Sequence, residues 1–335
     1  MTSTSDSRYS RLQPLPAHER ASLAIQAFAF FSPTKYEENL RILGENPDPS
    51  KTTRPLSVIQ FIEYLEKTEV LNEAFKSLSQ ITALLEAMER EGLLVVVGHG
   101  NFVLAPKLYY SMKELTSRER KGYAWLTPAL GADFLYGYFG KFTVHIIGDN
   151  NAAEHGGTGF VISDRHILTC AHVINGMTVR TEQTFQGKAC RVKQTYVHPL
   201  VDVGIIELEE PCLNDSKAIG FRDPVIGEQL YLLGYPPVPM ASEAPLILQG
   251  GEVVNERILD YQQQEAFLYS AIARPGNSGG PIIARSGHVL GIVTEDRNNP
   301  DHPHALFFAG LATSTIANAL AELSAGVDLP VETYQ

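Results

Sequence analysis

From Phe142 onward the chain is a train of short apolar stretches bounded by turn residues: "FTVHII", "GFVIS", "HILT", "MTVRT", "ACRVKQTYV" and "VGIIEL". A second set follows "AIGFRDPVIGE": "QLYLLGY", "LILQGGEVVNERI", "AFLYSAI", "GPIIAR", "HVLGIVTE" and "ALFFAG". Short strands at regular spacing with no helical periodicity between them predict an all-β sandwich or barrel. One last helix, about "TSTIANALAEL", closes this half. Within it the stretch "ARPGNSGGP" sets Ser278 among three glycines and between two prolines, a composition that holds a bend and does not fill a core.

The chain before about residue 135 has a different texture. "PAHERASLAIQAFAFF" predicts a first helix, and "SVIQFIEYLEK" opens with Ser57 and Gln60 in capping-box spacing. "SLSQITALLEAMEREG" is apolar at Ile81, Leu84, Leu85 and Met88 and ends at Gly92, as a helix C-terminus should. "LLVVVG", "HGN" and "FVLAP" then read as strand, turn, strand. Helix, helix and hairpin in this order resemble a winged helix. The expected organisation is α+β and multidomain: a helical, winged-helix-like regulatory or protein-interaction domain over 1–130, a linker over 131–140, and an all-β domain over 141–335.

Charge narrows the partners. The formal net charge is -11, with 15 Lys+Arg against 15 Asp+Glu up to Leu130 and 12 against 23 beyond it. Phosphate binding rests on many cations, so no nucleic-acid partner is expected. The predicted reading helix repeats this locally, with Arg90 set against Glu86, Glu89 and Glu91. Three cysteines, Cys170, Cys190 and Cys212, do not make a disulfide framework. The most apolar N-terminal run is too short to span a bilayer. A cytoplasmic protein with no membrane contact is the expectation.

Acyl transfer by serine needs a base, a group that orients the base, and backbone donors for the oxyanion. "HILTCAHVI" puts His172 just after a strand, "VDVGIIEL" puts Asp202 at the mouth of another, and "GNSGGP" supplies Ser278 with the N–H groups of Gly276 and Ser278. In this order the chain resembles the chymotrypsin-like serine proteases over roughly 140–325, and within them the disulfide-free HtrA-like branch. The resemblance implies a double six-stranded barrel in which His172, Asp202 and Ser278 are catalytic and Gly276 and Ser278 form the oxyanion hole. No cofactor or metal enters that chemistry, and the partner is a protein substrate. Two departures from the digestive enzymes fit this branch: Val173 follows the histidine where they have cysteine, and Asn277 precedes the serine where they have the aspartate that pairs with a clipped N-terminus.

The resemblance also implies a substrate pocket with Ile272 at its floor and Thr294 on its wall, where the family usually has a serine bonded to the triad aspartate. Asp296 then falls where a glycine is common, with Glu295 beside it. The chain ends soon after the barrel, without room for the peptide-binding domain of the housekeeping proteases, so regulation is expected through the N-terminal domain or a protein partner, for instance in bacterial defence. Rival readings are a peptide-binding pseudoprotease and a DNA-binding regulator with a protease-like sensor domain. His302 and His304 in "HPH" lack a third ligand for zinc, and Cys170 reads as a packed strand residue.

Overall fold

The computed structural model describes residues 15–47, 53–151, 153–185, 187–211, 218–259, 264–294 and 307–335. The chain divides into two compact units, one of Met1–Glu114 with Pro128–Leu130 and the other of Leu115–Thr127 with Gly131–Gln335.

In the first unit the helical periodicities become α1 (Ala17–Phe30), α2 (Tyr36–Leu43), α3 (Val58–Lys67), entered from the short strand β1 (Leu56–Ser57), and α4 (Leu78–Arg90). The capping box forms as its spacing predicts: Ser57 Oγ accepts from Gln60 N at 3.2 Å and Gln60 Oε1 accepts from Ser57 N at 3.0 Å. Ile81, Leu84, Leu85 and Met88 of α4 are all buried. Strands β2 (Leu94–His99) and β3 (Lys107–Ser111) complete a three-stranded sheet in the order β1-β3-β2. The rings of Phe30, Phe31, Phe61 and Tyr109 are fully buried between helices and sheet, each contributing roughly 1.5–3 kcal/mol.

"FVLAP" is not the returning strand. Gly100 N–H donates to Pro106 O at 2.6 Å and Ala105 N–H to Phe102 O at 3.2 Å, so these residues are the hairpin tip and the strand starts at Lys107. Val103 and Leu104 stand exposed there, so their apolar character reported no burial.

The second unit begins with turns of 3-10 helix and the single-turn α5 (Thr127–Leu130), whose residues fall in both units, and continues with α6 (Ala132–Phe139). The stretch expected to be a linker with some helix carries α6 over most of its length, and Leu135 and Phe139 are buried in the core of this unit. Strands β4 (Thr143–Asn150), β5 (Ala153–Val161) and β6 (His166–Thr169) lead to the short helix α7 (Ala171–Asn175). Then come β7 (Thr178–Val179), β8 (Glu182–Phe185), β9 (Lys188–Val197) and β10 (Gly204–Leu208). They pair in the order β7-β4-β5-β6-β10-β9-β8.

This is a curled seven-stranded sheet, where a closed six-stranded barrel was expected. At the seam a side chain replaces the backbone ladder: the carboxamide of Gln183 on β8, 3% exposed, donates to Ile147 O on β4 at 2.7 Å and accepts from Ile147 N at 3.0 Å.

The second half does close. Strands β11 (Gln229–Gly234), β12 (Ile247–Leu259), β13 (Glu265–Tyr269), β14 (Pro281–Ala284), β15 (Val289–Val293) and β16 (Phe308–Ala312) form a barrel in the order β11-β12-β13-β16-β15-β14, followed by α8 (Thr313–Glu322). Among the described residues no helix is long and apolar enough to cross a membrane. Cys170 is a buried thiol, whereas Cys190 is disulfide-bonded, contrary to the expectation of unpaired cysteines. Cys212 lies outside the described residues.

Candidate active site

His172 sits in the first turn of α7, a helix of five residues that starts as soon as the buried strand β6 ends. Asp202 lies in the loop between β9 and β10. The two meet twice: Asp202 Oδ1 accepts the backbone N–H of His172 at 2.9 Å, and Asp202 Oδ2 lies 2.8 Å from His172 Nδ1. One contact fixes where the helix starts and the other fixes the ring, so the imidazole has little freedom to rotate. Thr294, just after β15, donates its hydroxyl to the same Oδ2 at 2.6 Å. Burial pushes the Asp202 carboxyl up, but the donors from His172 and Thr294 together outweigh it and hold the group below the usual carboxylate range.

Ser278 lies between β13 and β14, in the other half of this unit. The turn before it follows from the sequence "RPGN". Asn277 N–H donates to Arg274 O at 2.9 Å, and Gly276 takes φ +95°, with proline at the position that wants φ near -65° and glycine where φ must be positive. A Cβ on Gly276 would also meet Tyr235 O at 2.7 Å. Gly279 is as tightly placed: its φ is +83°, and a Cβ there would lie 2.2 Å from Thr158 O. The glycines around the serine thus serve both a left-handed backbone and the close approach of β5.

Thr158 on β5 anchors this turn, and sequence reasoning missed it. Its Oγ1 donates to Gly276 O at 2.6 Å and accepts from Tyr235 N at 2.9 Å, while its N–H donates to Ser278 O at 3.0 Å. Its only signal was a hydroxyl flanked by glycines in "GGTGF". On the other side Val293 O accepts both Gly279 N–H at 2.8 Å and the Cys170 thiol at 3.1 Å. The serine turn is thereby tied to the segment that carries His172. Within the described residues the backbone N–H groups of Gly276 and Ser278 donate to no carbonyl, and Ser278 Oγ has no hydrogen-bond partner. Catalytic hydrogen bonds commonly tighten only when substrate is bound.

The structure therefore joins His172, Asp202 and Thr294 directly and links the Ser278 turn to them through Val293 and Thr158. Thr294, expected on the wall of the substrate pocket, donates its hydroxyl to Asp202. Ile272 is 46% exposed, while Ala271 and Ala273 on either side are buried in the barrel core. Glu295 and Asp296, and the "HPH" histidines, lie outside the described residues.

A metal is not needed to explain the cluster. Donor atoms of Cys170, His172 and Asp202 lie within 4.8 Å of one another, but His172 and Asp202 bond to each other and the Cys170 thiol bonds to Val293 O. An open cleft of about 400 Å³ adjoins Gly276, lined among others by His145, Tyr235, Pro237 and Glu243. His145 stacks on Tyr235 with ring centroids 5.0 Å apart, and burial holds its imidazole below the usual histidine range.

The trypsin-like peptidase domain family matches residues 157–292, a span that contains all three triad candidates. The serine protease Rv3671c of Mycobacterium tuberculosis (strain ATCC 25618 / H37Rv) is 30% identical over 145 residues, which is 41% of this chain and 35% of that protein. Mitochondrial Do-like 12 of Arabidopsis thaliana is 30% identical over 154 residues, 43% of this chain and 30% of that protein. The chain thus spans about a third of the length of these curated relatives. Among solved structures, the active form of the Rv3671c protease from M. tuberculosis is similar at a TM-score of 0.48 and 22% identity, over 60% of this chain and 89% of that one. By the match over residues 157–292, the second unit of this chain carries a trypsin-like serine peptidase domain.

Proposed function

We propose that the protein is a serine endopeptidase in which Ser278, His172 and Asp202 act as nucleophile, general base and orienting acid. The observation that carries this reading is the double contact of Asp202 with the backbone and the ring of His172, which commits Nδ1 to the carboxylate and assigns proton transfer to Nε2. Ser278 Oγ attacks the scissile carbonyl carbon as His172 Nε2 takes its proton. The oxyanion that forms is held by the N–H groups of Gly276 and Ser278. His172 then hands the proton to the leaving amine, and water releases the acyl group by the same steps in reverse roles. Asp202 keeps the proton on Nδ1 and stabilises the imidazolium. Each acyl-enzyme cycle cleaves one peptide bond and consumes one water.

The first unit is proposed as a winged-helix-like module that contacts protein and regulates cleavage. Glu86 and Glu89 of α4 face Lys107 of the hairpin at 3.4 and 2.8 Å, so a cation that would serve a phosphate backbone is already neutralised. Deleting residues 1–114 is expected to change the cleavage rate or its response to cell extract; equal rates with and without extract would remove the regulatory role. The peptidase reading is tested by profiling new peptide termini in a proteome treated with wild type or Ser278→Ala. Cuts that appear only with wild type support it, and identical profiles overturn it.

A further inference from the structure

The loop that presents Asp202 is built around a second histidine that the catalytic cycle does not use. His198 follows β9, and the imidazole is 3% exposed. Its Nδ1 accepts the backbone N–H of Leu200 at 3.2 Å and of Val201 at 2.9 Å, the two residues that lead into Asp202. Its own N–H donates to Val203 O at 2.9 Å, closing the loop just before Gly204 pairs with Val197. On the other edge of the ring, Nε2 lies 3.0 Å from Glu322 Oε2 on α8. A ring nitrogen that accepts two N–H groups carries no proton, so the hydrogen is on Nε2 and is donated to the Glu322 carboxylate.

We propose that His198 is a positioning residue for Asp202: its Nδ1 holds the two amides before Asp202 so that the carboxylate meets His172 and Thr294. The proposal rests on the peptidase reading above. The Leu200 side chain is exposed, so at that residue the hold comes from its amide on the ring, while Val201 also packs against the core. A displacement of about 1 Å in a catalytic group costs on the order of 100-fold in rate. The link to Glu322 contributes less, because that side chain is 71% exposed and water competes for its carboxylate.

Three substitutions separate the clamp from mere filling of space. His198→Phe keeps the ring volume and removes the acceptor. His198→Ala removes both. His198→Asn puts Oδ1 at the place of Nδ1, where asparagine accepts from following N–H groups in an Asx turn, and gives up only the contact with Glu322. The readouts are amide hydrogen exchange at Leu200 and Val201 and the second-order rate of fluorophosphonate labelling at Ser278. For the Phe and Ala variants the clamp predicts faster exchange at both amides and labelling slowed by about 10- to 100-fold, with most of both restored by Asn.

A wild type that labels while His198→Phe labels as fast, or keeps both amides protected, overturns the clamp alone. Equal losses for Asn and Phe overturn it too. A wild type that takes no label overturns the peptidase reading, and the positioning role with it. Should the variants fail to fold, the imidazole ¹⁵N spectrum of the wild type decides: a proton on Nδ1 of His198 contradicts the clamp, and a proton on Nε2 alone supports it.

Discussion

Replacing Thr294 by valine removes one donor and almost no volume. The side chain is 8% exposed, and its Oγ1 donates at 2.6 Å to Asp202 Oδ2, which His172 Nδ1 also approaches to 2.8 Å. Because valine is nearly isosteric no cavity opens, and the cost is that of one hydrogen bond to a charged acceptor, about 1.5–3 kcal/mol of stability. The carboxyl responds in a known direction. Burial raises its pKa, the donors lower it further than burial raises it, and with Thr294 gone the folded value moves back up.

A depressed folded pKa gives stability that is complete above the unfolded value of about 3.9 and is lost as pH falls through the folded value. The difference between wild type and Thr294→Val is therefore full at neutral pH and shrinks below about pH 4. Urea unfolding followed by tryptophan fluorescence measures it, since the single tryptophan, Trp125, is buried in the second unit. Thr294→Ser, which keeps the donor, should stay close to wild type. Equal stability of the valine variant at pH 7, or a deficit that does not narrow in acid while the unit remains folded, refutes the role given to this hydroxyl.

Asp202→Asn should lower kcat by about 10⁴-fold, the loss that follows when the imidazole takes the wrong tautomer; a loss below tenfold would mean that another group orients His172. Gly276→Ala meets both a φ of +95° and Tyr235 O at 2.7 Å from the new Cβ, so the turn must shift. Its expected signature is a drop in kcat of about 10²-fold or more with KM little changed, and wild-type kinetics would remove Gly276 from the oxyanion site. Thr158→Val leaves Gly276 O and Tyr235 N without their partner, at about 1–3 kcal/mol for each buried group left unpaired, which the same urea titration reads.

The parts of the site legible in the sequence are those whose chemistry is local. "RPGNSGGP" states its own turn because proline and glycine have positional meaning, and the capping box of α3 is a spacing of three. Thr158, Gln183 and His198 were not legible. Each is a polar side chain that bonds backbone, and nothing nearby in sequence marks Thr158 as the anchor of a turn that begins more than a hundred residues later. "FVLAP" failed because apolar composition stood in for burial at a hairpin tip. The expected first barrel failed because one side-chain amide does the work of a strand ladder at its seam.

In the proposed mechanism His172 and Asp202 activate Ser278. Fluorophosphonate reacts with a serine only when a neighbouring base takes its proton, so the direct measurement is the stoichiometry and position of the label, read by peptide mass spectrometry on wild type, His172→Ala and Ser278→Ala. One label per chain, on Ser278, slowed by orders of magnitude in His172→Ala and absent in Ser278→Ala, is the predicted result. Label on a different serine, or equal labelling of Ser278 with and without His172, would contradict the account.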